Sequence, residues 1–291
     1  MALLNKKRGQ RTVFKAGIAT LAAASAVTDR PVAQAAVMPR QPGETKIVAL
    51  MGDYWHNGLM QEYHIRQILA PEKSWRVIFS RNPRSFTPDL ISDADLLIMS
   101  RYSGNDVMGY NEKDLVDHME EGAPVWTDEN VKAIVENVRT RGMGFMAMHC
   151  TLFCERREIT ELMGIEPIMH REIQPLWVYD LNQEHAVTRG IGKFFINLDE
   201  QFAAVIKSQY TTSLFQTQAI HDKRTAVGGW CLENGNGRIV GLLPGHTHWP
   251  YHTIAYRDIV WRAAHWAMKK DVTPHPSPKD GYYVGGADIS G

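Results

Sequence analysis

The chain has 291 residues, with 32 Lys/Arg against 32 Asp/Glu and 44% hydrophobic residues. That balance gives no excess of basic residues to track phosphates, so nucleic acid is not expected as a partner. Three cysteines, Cys150, Cys154 and Cys231, are too few for a disulfide framework.

The first residues read as a leader. Lys6, Lys7, Arg8, Arg11 and Lys15 form a basic region, Ala16 to Val27 an apolar run, and Ala33-Gln34-Ala35 a small-x-small cleavage pattern. The run is too short for a hydrocarbon core, which takes about 20 residues. A signal peptide over residues 1–35 is expected, with an uncleaved anchor as the alternative. The protein is then exported, periplasmic or extracellular, and has no membrane contact after cleavage. Gln10 to Lys15 resembles a twin-arginine signal without its second arginine. Residues 1–35 hold six basic residues and one acid, so 26 basic and 31 acidic residues remain, a net charge of −5. In an oxidising compartment Cys150 and Cys154 could bridge, while Cys231 reads as a small buried hydrophobe.

Residues 36–45 read as a linker, 46–270 as a single domain and 271–291 as a tail. Lys46 to Met51 is expected to be a buried strand, closed by Gly52-Asp53, and Gly58 to Leu69 has helical spacing. Trp75 to Phe79 and Asp95 to Ser100 are further strands, the latter continuous in apolar residues as parallel strands are. Asp128 to Arg139 is a predicted helix with Thr127 or Asp128 as N-cap, and Gly144 to His149 a fourth strand. The second half is less regular: Leu176 to Leu181, Ala203 to Lys207 and Ser213 to Ala219 read as strands. Thr225 to Cys231 and Arg238 to Leu243 flank a hairpin signal at Glu233 to Gly237, and Tyr256 to Lys269 is a closing helix. The alternation of strand and helix predicts a doubly wound α/β sheet of flavodoxin-like type.

Ligands of such sheets bind beyond the carboxyl ends of the strands. That rule selects Asp53, Trp55 and His56, Arg101 and Tyr102, His149, and the stretch Gly245-His246-Thr247-His248-Trp249. Imidazoles suit metal ligation or proton transfer near neutral pH, and His246, His248 and His252 cluster, with His149, His170 and His185 as partners from other segments. Carboxylates are needed to orient an imidazole or act as base; Asp53, just past the first strand, and Glu200, read as following the apolar run Phe194 to Leu198, are favoured over Glu172. Trp55, Tyr102, Trp249 and Tyr251 would offer flat faces to a sugar ring. His118, His221 and His265 read as structural.

Gly142 to His149, His185-Ala186-Val187-Thr188-Arg189-Gly190-Ile191, Gly237 to His246 and Arg262 to Ala267 together resemble segments of the trehalose-utilisation (ThuA-like) family. That family is similar in fold to class I glutamine amidotransferases, in which a cysteine occupies a tight elbow and a histidine follows a later strand. By pattern His149 falls at the elbow and His246 at the later histidine, so the thiol is replaced by imidazole. The resemblance implies work on trehalose and related glycosides, often beside oxidoreductases that make 3-keto sugars, with a divalent metal such as zinc in some members. The expected site has His149, His246 and His185 as metal ligands and His56, His149, Glu200 and His246 as catalytic groups. Asp53, Trp55, Arg101, Tyr102, His248 and Trp249 are expected to bind substrate.

The expected activity is metal-assisted polarisation of a sugar carbonyl with proton abstraction beside it, leading to elimination, isomerisation or hydrolysis of an oxidised or unmodified disaccharide. A non-catalytic sugar-binding accessory protein is one alternative. A cysteine-dependent amidase-like hydrolase built on Cys150 is the other. The expected partner is a small-molecule sugar, with a homo-oligomer left open.

Overall fold

The computed structural model describes residues 40–53, 55–82, 85–102, 126–154 and 156–276. The expected signal peptide, residues 36–39 of the linker, His118 and residues 277–291 of the tail lie outside them.

The described residues form β1 (Thr45–Met51), α1 (Gly58–Leu69), β2 (Trp75–Ser80), α2 (Pro88–Ile91), β3 (Leu96–Ser100), α3 (Asp128–Glu136) and β4 (Gly144–Met148). There follow α4 (Arg157–Met163), β5 (Ile165–Tyr179), β6 (Phe194–Ile206), β7 (Thr212–Ala219), β8 (Thr225–Asn234), β9 (Gly237–Leu242), α5 (Trp249–His252) and α6 (Ile254–Ala267). Local chemistry sets several of these ends. The Asn57 side chain accepts from the Met60 N–H at 3.0 Å to cap α1, and Thr127 accepts from Asn130 at 3.1 Å to cap α3. The helix expected over 128–139 instead widens into a π-helical turn, Asn137–Arg141, that ends at Gly142 with φ 85.

All strands join one sheet in the order β2-β1-β3-β4-β9-β8-β7-β5-β6. The first five are parallel and the rest antiparallel. Alternate residues of the parallel strands feed two cores. Ile47, Ala49, Met51, Ile98 and Met146 pack with α1 and α6. Val48, Leu50, Leu97, Met99 and Phe145 pack with α2, α3 and α4 on the other face. Helices thus cover both faces, which is why these strands are apolar throughout. Each such fully buried side chain contributes about 1.5–3 kcal/mol.

The antiparallel half departs most from expectation. The strand expected at Leu176 is the end of a fifteen-residue β5, and Ala203 to Lys207 is the end of a thirteen-residue β6. Glu200 therefore lies inside a strand rather than after one. The start of β5 exposes apolar Ile168, Met169 and Ile173 as well as Glu166 and Glu172, so apolar alternation does not mark it. The described start of the tail is not free: His275 is buried, with its N–H on Asp258 at 2.8 Å and its ring nitrogen 3.0 Å from the Ile68 carbonyl. No described helix is long and apolar enough to cross a membrane.

Trp230 of β8 faces Gly241 of β9 across the ladder and buries its whole indole, whose N–H reaches the Met163 carbonyl at 3.0 Å. A Cβ at position 241 would stand 2.1 Å from that ring. Gly241→Ala should therefore destabilise by about 1–3 kcal/mol through overpacking. A fall in Tm of about 2–4 °C per kcal/mol is expected in thermal unfolding. An unchanged Tm would show that the indole does not occupy this seat.

Candidate active site

The four strands expected to supply the site are neighbours. The C-terminal ends of β1, β3, β4 and β9 lie side by side in the sheet order. Past β4 the chain turns sharply into a short 3-10 segment, His149–Phe153. His149 takes φ 41, a left-handed conformation that non-glycine residues seldom adopt. This is the strained turn that elsewhere holds a nucleophile up at a strand end. Past β1, Gly52 has φ 78, and a Cβ there would sit 2.4 Å from the Gly58 Cα. That close approach folds the Asp53–Asn57 loop back over the strand.

Three imidazoles and one carboxylate meet at this rim. The ligating atoms of His56, His149, His246 and Glu200 all lie within 4.8 Å of one another. His149 Nδ1 is 2.7 Å from the Leu243 carbonyl, which can only accept, so Nδ1 carries the proton and Nε2 turns inward unprotonated. His56 is fixed in the same sense by Asp53, whose Oδ1 accepts from Nδ1 at 2.6 Å. His149 Nε2, His246 Nδ1 and Glu200 Oε2 form a triangle with edges of 3.3, 3.4 and 3.1 Å.

Burial and charge divide the protonation states. Burial depresses His149 below its ordinary value, so it is neutral at pH 7. Burial also acts against charge on His246, but the Glu200 hydrogen bond and charge outweigh it and lift that imidazole. Glu200 is held well below the usual carboxylate range: burial opposes this, and the neighbouring His149 and His246 imidazoles overcome it. Of the two imidazoles in the triangle, the surroundings thus favour charge on His246 and disfavour it on His149.

The structure redistributes the predicted residues. His185 is not a ligand of this centre. Its Nε2 lies 3.3 Å from the Cys231 thiol and its Nδ1 accepts from Val187. Glu200 takes the third position. Asp53 and Arg101 are corrected from substrate contacts to supports, both being fully buried. Asp53 accepts from the Trp55 and Tyr102 N–H groups at 2.8 and 2.7 Å as well as from His56. The Arg101 guanidinium donates to the Gly52 carbonyl. Tyr102 is half-buried, Trp55 is 56% exposed, and His248 and Trp249 stand at the surface beside each other, 4.9 Å between ring centroids. Tyr251 cannot be a sugar platform because it is fully buried, stacked on His64. Glu172 is exposed.

All three cysteines are buried thiols, and Cys150 and Cys154 are not bridged. Cys150 packs in the same core as Phe202 and Leu243, its sulfur within 4.8 Å of ligating atoms of Asp53 and His56, and burial, then the Asp53 charge, pushes its thiol far up. A nucleophilic thiolate has no support there.

Three contributors were not foreseen in their roles. Buried Asp199 accepts from the Gly245 and Thr247 N–H groups at 2.8 and 2.9 Å, which pins the loop that carries His246. Phe202 stacks on His149 at 4.2 Å. His170 Nδ1 lies 2.7 Å from Glu200 Oε1. The only sequence trace of the first is an acidic pair, Asp199-Glu200, within an apolar stretch.

A family model described as ThuA, trehalose utilisation, matches residues 48–267. No curated protein matches the chain. A protein described as ThuA-like from Bacteroides uniformis ATCC 8492 superposes with a TM-score of 0.59 at 12% identity, over 82% of this chain and 96% of that one. A cytoplasmic protein from Salmonella typhimurium LT2 gives 0.54 at 11%, over 77% and 99%. A glutamine amidotransferase from Thermotoga maritima gives 0.43 at 13%, over 78% and 86%. At such identities the first two show a common fold and nothing of the chemistry.

Behind the site, His64 is buried between Tyr251 and His252, at 5.2 and 5.0 Å between ring centroids. Burial first, then the positive neighbours His252, Arg257 and His248, lower it to about 4. The unfolded chain takes up this proton near pH 6.5 and the folded one only near 4, so stability is lost as pH falls through that window. The loss from His64 is about 3 kcal/mol, at 1.36 kcal/mol per pKa unit. His149, His185 and His252 act in the same direction and His246 against it. Tm of the wild type should fall between pH 6.5 and 4, and His64→Leu should flatten that fall. Parallel curves for the two proteins would refute this assignment.

Proposed function

Because the chain belongs to the ThuA, trehalose utilisation, family, we propose that it is an enzyme acting on a carbonyl-bearing disaccharide or glycoside, such as a 3-keto sugar. The reaction class is proton abstraction from the carbon beside the carbonyl. Residue support comes from one observation, the triangle of His149 Nε2, His246 Nδ1 and Glu200 Oε2.

The triangle fits a divalent metal by its dimensions. Donors on one tetrahedral zinc at about 2.0–2.1 Å stand roughly 3.3–3.4 Å apart, against edges of 3.3, 3.4 and 3.1 Å here. Its donor chemistry fits as well, two imidazoles and a carboxylate, with the His149 Nδ1 donating to a carbonyl as metal-bound histidines do. His149, His246 and Glu200 would hold the ion, which when bound supplies Lewis acidity toward a carbonyl oxygen.

The chain's own groups handle the proton. Asp53 accepts the His56 Nδ1 proton, which aims a basic Nε2 toward the cluster and stabilises the imidazolium formed when that nitrogen takes the substrate proton. Asp53 stays ionised because the His56 hydrogen bond and charge and two backbone N–H groups outweigh its burial. Exposed Trp55 and half-buried Trp249 offer apolar faces at the mouth for a sugar ring. The basic and apolar pattern of residues 1–35 supports an exported location for this work.

The zinc-loaded protein incubated with a 3-keto disaccharide in D2O should place deuterium beside the carbonyl, read by mass spectrometry. His56→Ala should slow that exchange about 10²- to 10⁴-fold while keeping its zinc, and His149→Ala should lose the zinc. Zinc bound at the triangle with no exchange and no product, but tight sugar binding, would replace this reading with a sugar-binding accessory role.

A further inference from the structure

The three donors of the triangle are not equally supported. His149 is held by the Leu243 carbonyl and by stacking on Phe202, and the His246 loop is pinned by Asp199. Glu200 reaches the triangle on a longer side chain with two carboxylate oxygens, and the second oxygen needs its own partner. That oxygen, Oε1, lies 2.7 Å from His170 Nδ1, and a carboxylate accepts, so the imidazole donates.

The strand pairing explains how His170 comes to face Glu200. His170 pairs with Phe202 and Ile173 with Glu200, so β5 takes three steps where β6 takes two. The extra residue is a β-bulge at Arg171-Glu172, a device that re-aims a side chain and increases local twist. The His170 ring is then set against Phe153 and Phe202, at 6.0 and 5.6 Å between centroids. Its side chain is 61% exposed, so no core packing requires a histidine there.

We propose that His170 is a positioning residue of the metal centre: through Nδ1 it fixes Glu200 so that Oε2 alone turns toward His149 and His246. The inference rests on the metal-site reading above and adds the residue that keeps the carboxylate monodentate. His170 touches neither the ion nor the substrate.

Zinc affinity of the full-length chain, by competition with a chromophoric chelator, tests it without any assay of turnover. His170→Ala should weaken zinc binding about 10- to 100-fold, the usual loss when an outer partner of a ligand is removed. His170→Asn, whose amide N–H reaches about where Nδ1 stood, should recover most of it. Glu172→Ala, an exposed residue on the same bulge, should bind zinc as the wild type does. Unchanged affinity in His170→Ala, or an equal loss in Glu172→Ala, would overturn the assignment. Imidazole nitrogen NMR on the metal-free protein separates the two readings. If the wild type takes up no zinc, the metal reading fails. The positioning role is then still supported if His246 and His149 signals move in His170→Ala and return in His170→Asn, and is refuted if they stay in place.

Discussion

Glu200 ties the two halves of the molecule together at one point. It belongs to β6, the outermost strand of the antiparallel half, while His149 and His246 follow β4 and β9 of the parallel half. Four strand spacings of about 4.8 Å would set β6 roughly 19 Å from β9 in a flat sheet. The Glu200 carboxylate is nevertheless 3.1 Å from His246. The antiparallel strands must therefore twist and coil back over the ends of the parallel ones, in the sense that right-handed strand twist accumulates. Register shifts at three places of the β5–β6 pairing, two with the extra residue in β5 and one with it in β6, supply the extra bend.

Bringing these groups together away from water is unfavourable unless each polar atom finds a partner. The buried carboxylates meet that demand with backbone N–H groups: Asp53 takes those of Trp55 and Tyr102, and Asp199 those of Gly245 and Thr247. Both carboxylates thus anchor the loops that carry His56 and His246, and electrostatics and loop geometry become one device. The left-handed backbone of His149, a strain of order 1–3 kcal/mol, is maintained by the same surroundings. Its ring is gripped by the Leu243 carbonyl on one edge and by Phe202 on one face.

How far the sequence could be read follows from this geometry. The parallel strands and α1 were legible because their apolar residues are continuous or helically spaced, and β1, β3, β4 and β9 end in the polar residues that the strand-edge rule selects. His56, His149 and His246 could be named by that rule alone. Glu200 was found for the wrong reason, as a residue following a strand, when it lies within β6. His185 was misplaced because adjacency in a family-like motif says nothing of which side of the sheet a loop faces; it meets Cys231 and Trp266 instead. Arg101 and Asp53 looked like ligand contacts since charge at a strand end resembles a binding group, and only coordinates reveal that backbone atoms consume them. Asp199 and His170 depend on the sheet's coiling and on a bulge, neither of which leaves a periodic trace.

An imidazole at the elbow has consequences beyond removing a thiol. A strand-to-helix elbow suits a nucleophile because it raises one side chain clear of the sheet. At this elbow the next residue, Cys150, is buried beside Asp53 and His56, where burial and the Asp53 charge push its thiol up. The raised side chain is His149, and its outward nitrogen faces not a general base but a second imidazole and a carboxylate at nearly equal distances. A nucleophile needs one partner to remove its proton, whereas three donors equally spaced about a common point satisfy a cation. Under the proposed reading, the same backbone turn that could present a nucleophile presents a metal ligand instead.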